Sequence, residues 1–148
     1  MSEFEYTDDE RLYDIIKLMV DVLREVNYES LMCMVYLMQG EYLALHRTPL
    51  FNLDFETGPR VPELELTKWL SNHLTIEHKT LVNVGTPICY SVNKLDRLFI
   101  KEKTKEYQAL KKDELEDKVC KSVAWNTIRL KGIGLPITKQ AIYASYVK

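Results

Sequence analysis

A mainly helical α+β domain is what this sequence predicts, with about five to seven helices and one small two-stranded β element in a single unit over residues 1–148. Three observations predict it. Apolar residues recur at three- and four-residue steps along most of the chain, the period of helices that bury one face. One run, residues 31–47, is apolar on nearly every face and so belongs at the centre of a domain. One stretch, residues 51–56, instead alternates apolar and polar residues, the pattern of a half-buried strand.

Taken in order, Thr7 and Glu10 form a capping-box signature. Leu12, Ile15, Ile16, Met19, Leu23 and Val26 then continue a first helix for about five turns. Asn27 and Tyr28 break the pattern, and Ser30 is placed to help open the next helix. That helix, LMCMVYLMQGEYLALHR, carries a stripe of Leu31, Met34, Val35, Met38, Tyr42 and Leu45, with Met32, Cys33 and Leu37 crowding its flanks. Gly40 in its middle costs about 1 kcal/mol against Ala, which points to close approach of a neighbouring element.

Pro49 stops the second helix, and Phe51, Leu53 and Phe55 alternate with Asn52, Asp54 and Glu56 as a strand. Gly58 and Pro59 turn a corner, and Pro62 suits the first turn of a helix carrying Leu64, Leu66, Trp69, Leu70 and Leu74. HKTLVNVGTPICYS, rich in β-branched residues, reads as a second short strand pairing with residues 51–55. Residues 93–110 read as a charged helix carrying Leu95, Leu98, Phe99 and Tyr107. DELEDKVCKS is a short helix with Leu115 and Val119 inward, and AWNTIRLKGIG is a loop around Trp125 or the tail of that helix. PITKQAIYASYVK closes the domain as a helix with Thr138 as N-cap and Ile142 and Tyr146 buried.

The net charge of −2, from 20 basic and 22 acidic residues, offers no electrostatic case for a dedicated binder of nucleic acid or anionic membrane. Cys33, Cys89 and Cys120 lie too far apart for a zinc knuckle or a disulfide framework, and read as reduced thiols of a cytosolic protein. The acidic opening MSEFEYTDDER has no apolar core of a signal peptide, and no run approaches the length of a membrane span. A cytoplasmic location is expected, in a bacterium or in the host of a phage.

No motif carries chemistry. His73 and His78 stand five apart rather than the four of a helical metal pair, and His46 is remote from both. GIGLP lacks the Lys-Ser/Thr of a phosphate loop. Asp8, Asp9 and Glu10 complement a helix N-terminus, while Glu114 and Asp117 read as a solvated face. The aromatic residues sit at helical spacing without interleaved basic residues, so they read as core rather than as stacking platforms for bases. No catalytic residue, metal ligand or cofactor is expected, and the chain reads as a non-enzyme.

Two stretches carry a resemblance. The first runs Tyr36, Gln39 and Gly40, then Leu45, Pro49, Leu50, Phe51, Phe55 and Glu56, then Gly58, Pro59, Val61 and Pro62. The second runs Leu115, Trp125, Pro136, Ile137, Ile142 and Tyr146. In order and spacing these residues resemble the Panacea domain, or SocA-like antitoxin, family, most strongly over 31–64 and 115–146. Departures mark a divergent member, of a kind that phages carry. Thr57 alone replaces an Ala-Trp-x-Tyr segment, Arg60 separates Pro59 from Val61, and Cys120 and Ala124 stand where the family often has His and Pro.

The resemblance implies a non-catalytic protein-interaction module that neutralises a toxin or effector by direct binding. It also leaves open a proteolytic adaptor that delivers a client to an AAA+ protease, and a phage inhibitor of a host defence complex. Gln39, Gly40, Phe51, Phe55, Gly58, Pro59, Val61, Pro62, Trp125, Ile137 and Tyr146 are then scaffold residues. Candidates for partner contact are Arg47, Arg60, Tyr90, Arg97 and Tyr107, chosen for their places on loops or polar-sided helices. Arg60 stands out, because a guanidinium on a rigid corner is pre-organised for a carboxylate or phosphate. The apolar second helix is covered either by this chain's other helices or partly by a second copy in a homodimer.

Overall fold

The computed structural model describes residues 8–64, 74–75, 80–82 and 92–146. Helix α1 (Asp8–Leu23) buries Leu12, Ile15, Ile16 and Met19. Arg24 ends it in the left-handed conformation at φ 72°, its N–H bonded to the Val20 carbonyl at 2.7 Å. Val26 therefore does not extend the helix, as its spacing suggested, and lies in strand β1 (Glu25–Asn27). Asn27, not Ser30, opens the next helix: its Oδ1 accepts from the N–H groups of Glu29 at 3.0 Å and Ser30 at 3.3 Å. Thr7 lies outside the described residues.

Helix α2 (Tyr28–His46) is the centre of the domain, with every residue from Ser30 to Gly40 buried. Helix α3 (Lys94–Gln108) packs on α1 and α2, whereas α4 (Lys112–Cys120) and α6 (Lys139–Tyr146) both pack on α2. Between them lies α5 (Val123–Arg129), a separate helix where a loop or helix tail was expected, capped by the Ser122 hydroxyl. The close approach inferred at Gly40 is that of α6, since a Cβ there would overlap the Tyr146 ring.

The fold class is the mainly helical one expected, with more β structure than a single two-stranded element. Strands β4 (Leu74–Thr75) and β5 (Thr80–Val82) join β1 in an antiparallel sheet of order β1-β5-β4, with Val26 opposite Leu81. So the 80–82 segment does not pair with residues 51–55, and Leu74 sits in a strand rather than on a helix. A second antiparallel sheet places β2 (Phe55–Thr57) between β3 (Pro62–Glu63) and β6 (Pro136–Ile137). Residues 51–54 keep their alternating burial without joining the ladder, and the Gln39 side chain bonds the Leu50 N–H and the Phe51 carbonyl where the segment begins.

Pro62 is a strand residue and not a helix opener. It stands opposite Thr57, whose N–H and carbonyl both bond to the β6 side, to Leu135 at 2.8 Å and Gly134 at 2.7 Å. No donor is asked of Pro62 at that place, so the missing N–H costs nothing. Of the helix expected next, Leu64 is described and buried, while Leu66, Trp69 and Leu70 lie outside the described residues.

On α3 the inward face is Asp96, Ile100, Thr104 and Tyr107, and Leu95 and Leu98 are exposed. Asp96 displaces the leucines because both of its carboxylate oxygens are occupied, by Arg11 Nη2 at 3.0 Å and the Tyr42 hydroxyl at 2.9 Å. A buried carboxylate is tolerated when it is paired and fully hydrogen-bonded. Among the described residues, no helix is long and apolar enough to cross a membrane.

Candidate functional site

The Gly-Pro-Arg-Val corner is the tip of the β2–β3 hairpin. Gly58 N–H donates to the Val61 carbonyl at 3.1 Å, and a Cβ on Gly58 would meet that carbonyl and the Glu63 carboxylate at 2.5 Å each. Only glycine fits there, and Pro59 restricts the backbone immediately after it. Thr57 anchors the base of the tip. Beyond its two backbone bonds, its hydroxyl donates to the Gly132 carbonyl at 2.8 Å and accepts from Leu135 N–H at 3.0 Å. Arg60 thus stands on a braced loop with its side chain 74% exposed.

Beside the tip a groove of about 780 Å³ opens between the hairpin, α4 and α5. Its floor is apolar and buried: Cys33 from α2, Val61 from the tip, Val119 from α4 and Trp125 from α5. Its rim is cationic, with Arg60, Lys111, Lys112 and Arg129 against Asp113 and Glu116. The Arg129 guanidinium lies 5.8 Å from the Trp125 ring centroid, an arrangement that favours a cation over an indole face. Glu29, at the start of α2, reaches Lys112 at 3.2 Å and Arg60 more loosely at 3.8 Å. A smaller cavity of about 290 Å³ flanks the other side of the tip, between Tyr28, Glu29 and Glu63, and Arg60 lines both.

Burial pushes the Cys33 thiol up to about 12, with the carboxylates of Glu116 and Glu29 adding to the effect. It stays a neutral, inert thiol. Cys120 is exposed on the same groove, and His46, the one described histidine, instead packs against the Tyr42 ring at 4.3 Å. Among the described residues no cluster of three or more His, Cys, Asp or Glu side chains suits a metal ion. What the groove offers is recognition: an apolar floor to seat a side chain and guanidinium and ammonium groups to meet anions.

The sequence candidates separate. Arg60 is central to the groove. Arg47 is an exposed left-handed cap at the far end of α2 and Arg97 is half-buried on α3; neither lines the groove. Tyr90 lies outside the described residues, as do Cys89, His73 and His78. Tyr107 is a correction: it is 2% exposed, its hydroxyl donating to the Glu41 carboxylate, which also pairs with Lys103 at 3.3 Å. Burial, then Glu41, raises its phenol well above the ordinary range. It is a core residue and not a surface anchor.

The motif residues divide as well. Pro59, Val61 and Trp125 line the groove and Gly58 closes its tip. Gln39, Gly40, Phe51, Phe55, Pro62, Ile137 and Tyr146 build the scaffold behind it. Sequence reasoning missed Lys111, Lys112, Arg129, Cys33 and Glu29. Arg129 had a signal, four residues after Trp125 on one helix face, and Lys111-Lys112 had another as a dibasic pair at a helix start. In comparisons with known proteins, the chain matches no family model, no curated protein and no solved structure.

Proposed function

We propose that this chain is a non-catalytic protein-binding module of the Panacea, SocA-like antitoxin kind, acting in the cytoplasm. It neutralises a toxin or another effector by direct contact. The observation that carries this reading is Arg60, held on a braced hairpin tip above a groove whose buried floor includes Trp125 and whose rim includes Arg129. Aromatic and arginine side chains around a concave apolar centre are the composition of interface hot spots. The resemblance of the motif residues supports the same class, because Pro59, Val61 and Trp125 belong both to the motif and to the groove.

Co-expression with the product of the neighbouring gene tests the proposal, scored by growth rescue and by co-purification. The expected result is a product toxic alone, relief of toxicity by this chain, and a stable complex. A harmless neighbour that does not co-purify would count against the antitoxin reading.

A further inference from the structure

We infer that the groove beside the hairpin tip takes an acidic segment of a partner protein, lying extended with carboxylates on the rim and one apolar side chain on the floor. This rests on the reading of the groove as a protein-binding site and names the chemistry of its occupant.

Charge complementarity carries the inference. The whole chain has a net charge of −2, yet the groove reverses that sign with four cationic residues against Asp113 and Glu116. Arg60 and Lys112 share a single internal carboxylate, Glu29, so the pair keeps a surplus positive charge. Among the described residues, no carboxylate forms an ion pair with Arg129, which is 5.8 Å from the Trp125 ring centroid. A guanidinium in that state retains its planar fork of donors for an incoming carboxylate.

The arrangement also selects among anions. The cations come from three separate places, the hairpin tip, the start of α4 and the end of α5, and not from one convergent nest. A small anion needs donors gathered at a point, whereas an extended chain meets them in succession. Asp113 and Glu116 sit among the cations, which penalises a continuous polyphosphate backbone more than a segment of spaced carboxylates. Val61, Val119 and Trp125 give such a segment an apolar seat between its charges.

The test uses the full chain and three labelled probes: a short peptide of Asp and Glu around a central Leu, its counterpart with Lys replacing every acid, and a single-stranded oligonucleotide of the same charge. Binding is followed by fluorescence anisotropy, and maleimide modification of Cys120, read by peptide mass mapping, reports occupancy of the groove. The acidic peptide is expected to bind, to shield Cys120, and to lose about tenfold or more in affinity with Arg60→Glu or Arg129→Glu and with added salt. Equal binding of the acidic and basic peptides, tighter binding of the oligonucleotide, or indifference to both charge reversals overturns the inference. A partner found by co-expression separates this failure from failure of the groove itself. If bulky modification of Cys120 blocks that partner while acidic peptides do not bind, the groove stands and its acidic occupant falls. If the partner binds the modified chain normally, the groove reading and this inference both fail.

Discussion

Gln39 holds the chain at Phe51 from inside the core: its Nε2 donates to the Phe51 carbonyl at 2.7 Å, and its Oε1 accepts from Leu50 N–H at 2.8 Å. One buried amide thus replaces the strand partner that this segment lacks. Gln39→Leu leaves both backbone groups buried and unpaired, at about 1–3 kcal/mol each. A loss of about 3 kcal/mol or more is expected in urea unfolding. Gln39→Glu should recover part of it as pH falls, because only the protonated acid can donate to Phe51 while accepting from Leu50. A Gln39→Leu protein of unchanged stability would show that the pin is dispensable.

Gly40 and Tyr146 test the contact of α2 with α6. In a free helix Gly40→Ala gains about 1 kcal/mol, but here the added methyl enters the Tyr146 ring. Overpacking of that kind costs about 1–3 kcal/mol, so the single variant is expected to be less stable than the parent. In a Tyr146→Ala background the same change should become neutral or stabilising. Additive effects in the four-protein cycle, measured by thermal unfolding, would contradict the contact.

Arg47 occupies the left-handed cap of α2 at φ 61°, its N–H bonded to the Leu43 carbonyl at 2.8 Å. A side chain in that conformation carries a backbone penalty that glycine avoids. Arg47→Gly should raise stability by about 1 kcal/mol, a few degrees in Tm for a chain of this size. Because Arg47 does not line the groove, partner affinity should be unchanged. A drop in affinity would move the binding surface toward the end of α2.

Alkali should unfold this domain abruptly. Burial holds the phenols of Tyr36 and Tyr42 at about 12, against an ordinary value of 10.0, with the Asp96 carboxylate also raising Tyr42. Tyr28, Tyr107 and Tyr146 are raised further, also chiefly by burial. Their folded values lie above the unfolded one, so their contribution is complete below pH 10 and is lost as pH rises from 10 toward 12 and beyond. Tyrosinate absorbance and loss of helical circular dichroism are expected to appear together over that range. Gradual ionisation with the helices intact would mean that the phenols are not buried as described.

Much of the helical frame was legible because its signals are local. Helix α2 shows itself by being apolar on all sides, and Gly40 by its cost in that setting. The hairpin was not legible, since a proline after Gly-Pro suits a helix start as well as a sheet edge. What decides for Pro62 is the pairing of Thr57 with residues near 135, nearly eighty positions away. Helix α5 is only seven residues long, with Ala124 and Trp125 buried, too short to display a period. Tyr107 misled because its neighbours Lys105 and Glu106 are exposed, and only Glu41 on another helix reveals that it turns inward. Of the groove, Arg60 was legible from the rigidity of its loop. Its partners on the rim were not, because three separate elements meet there.

Backbone hydrogen exchange, comparing this chain free and in complex with the partner that co-purifies with it, decides whether the groove beside the hairpin tip is the binding surface. Protection is expected to rise at the hairpin tip, residues 58–61, and over the start of α4 and the end of α5. The exposed leucines on α3, Leu95 and Leu98, should stay unchanged. Protection confined to that face of α3 and to the neighbourhood of exposed Leu45, with the hairpin tip unaffected, would place the partner away from the groove.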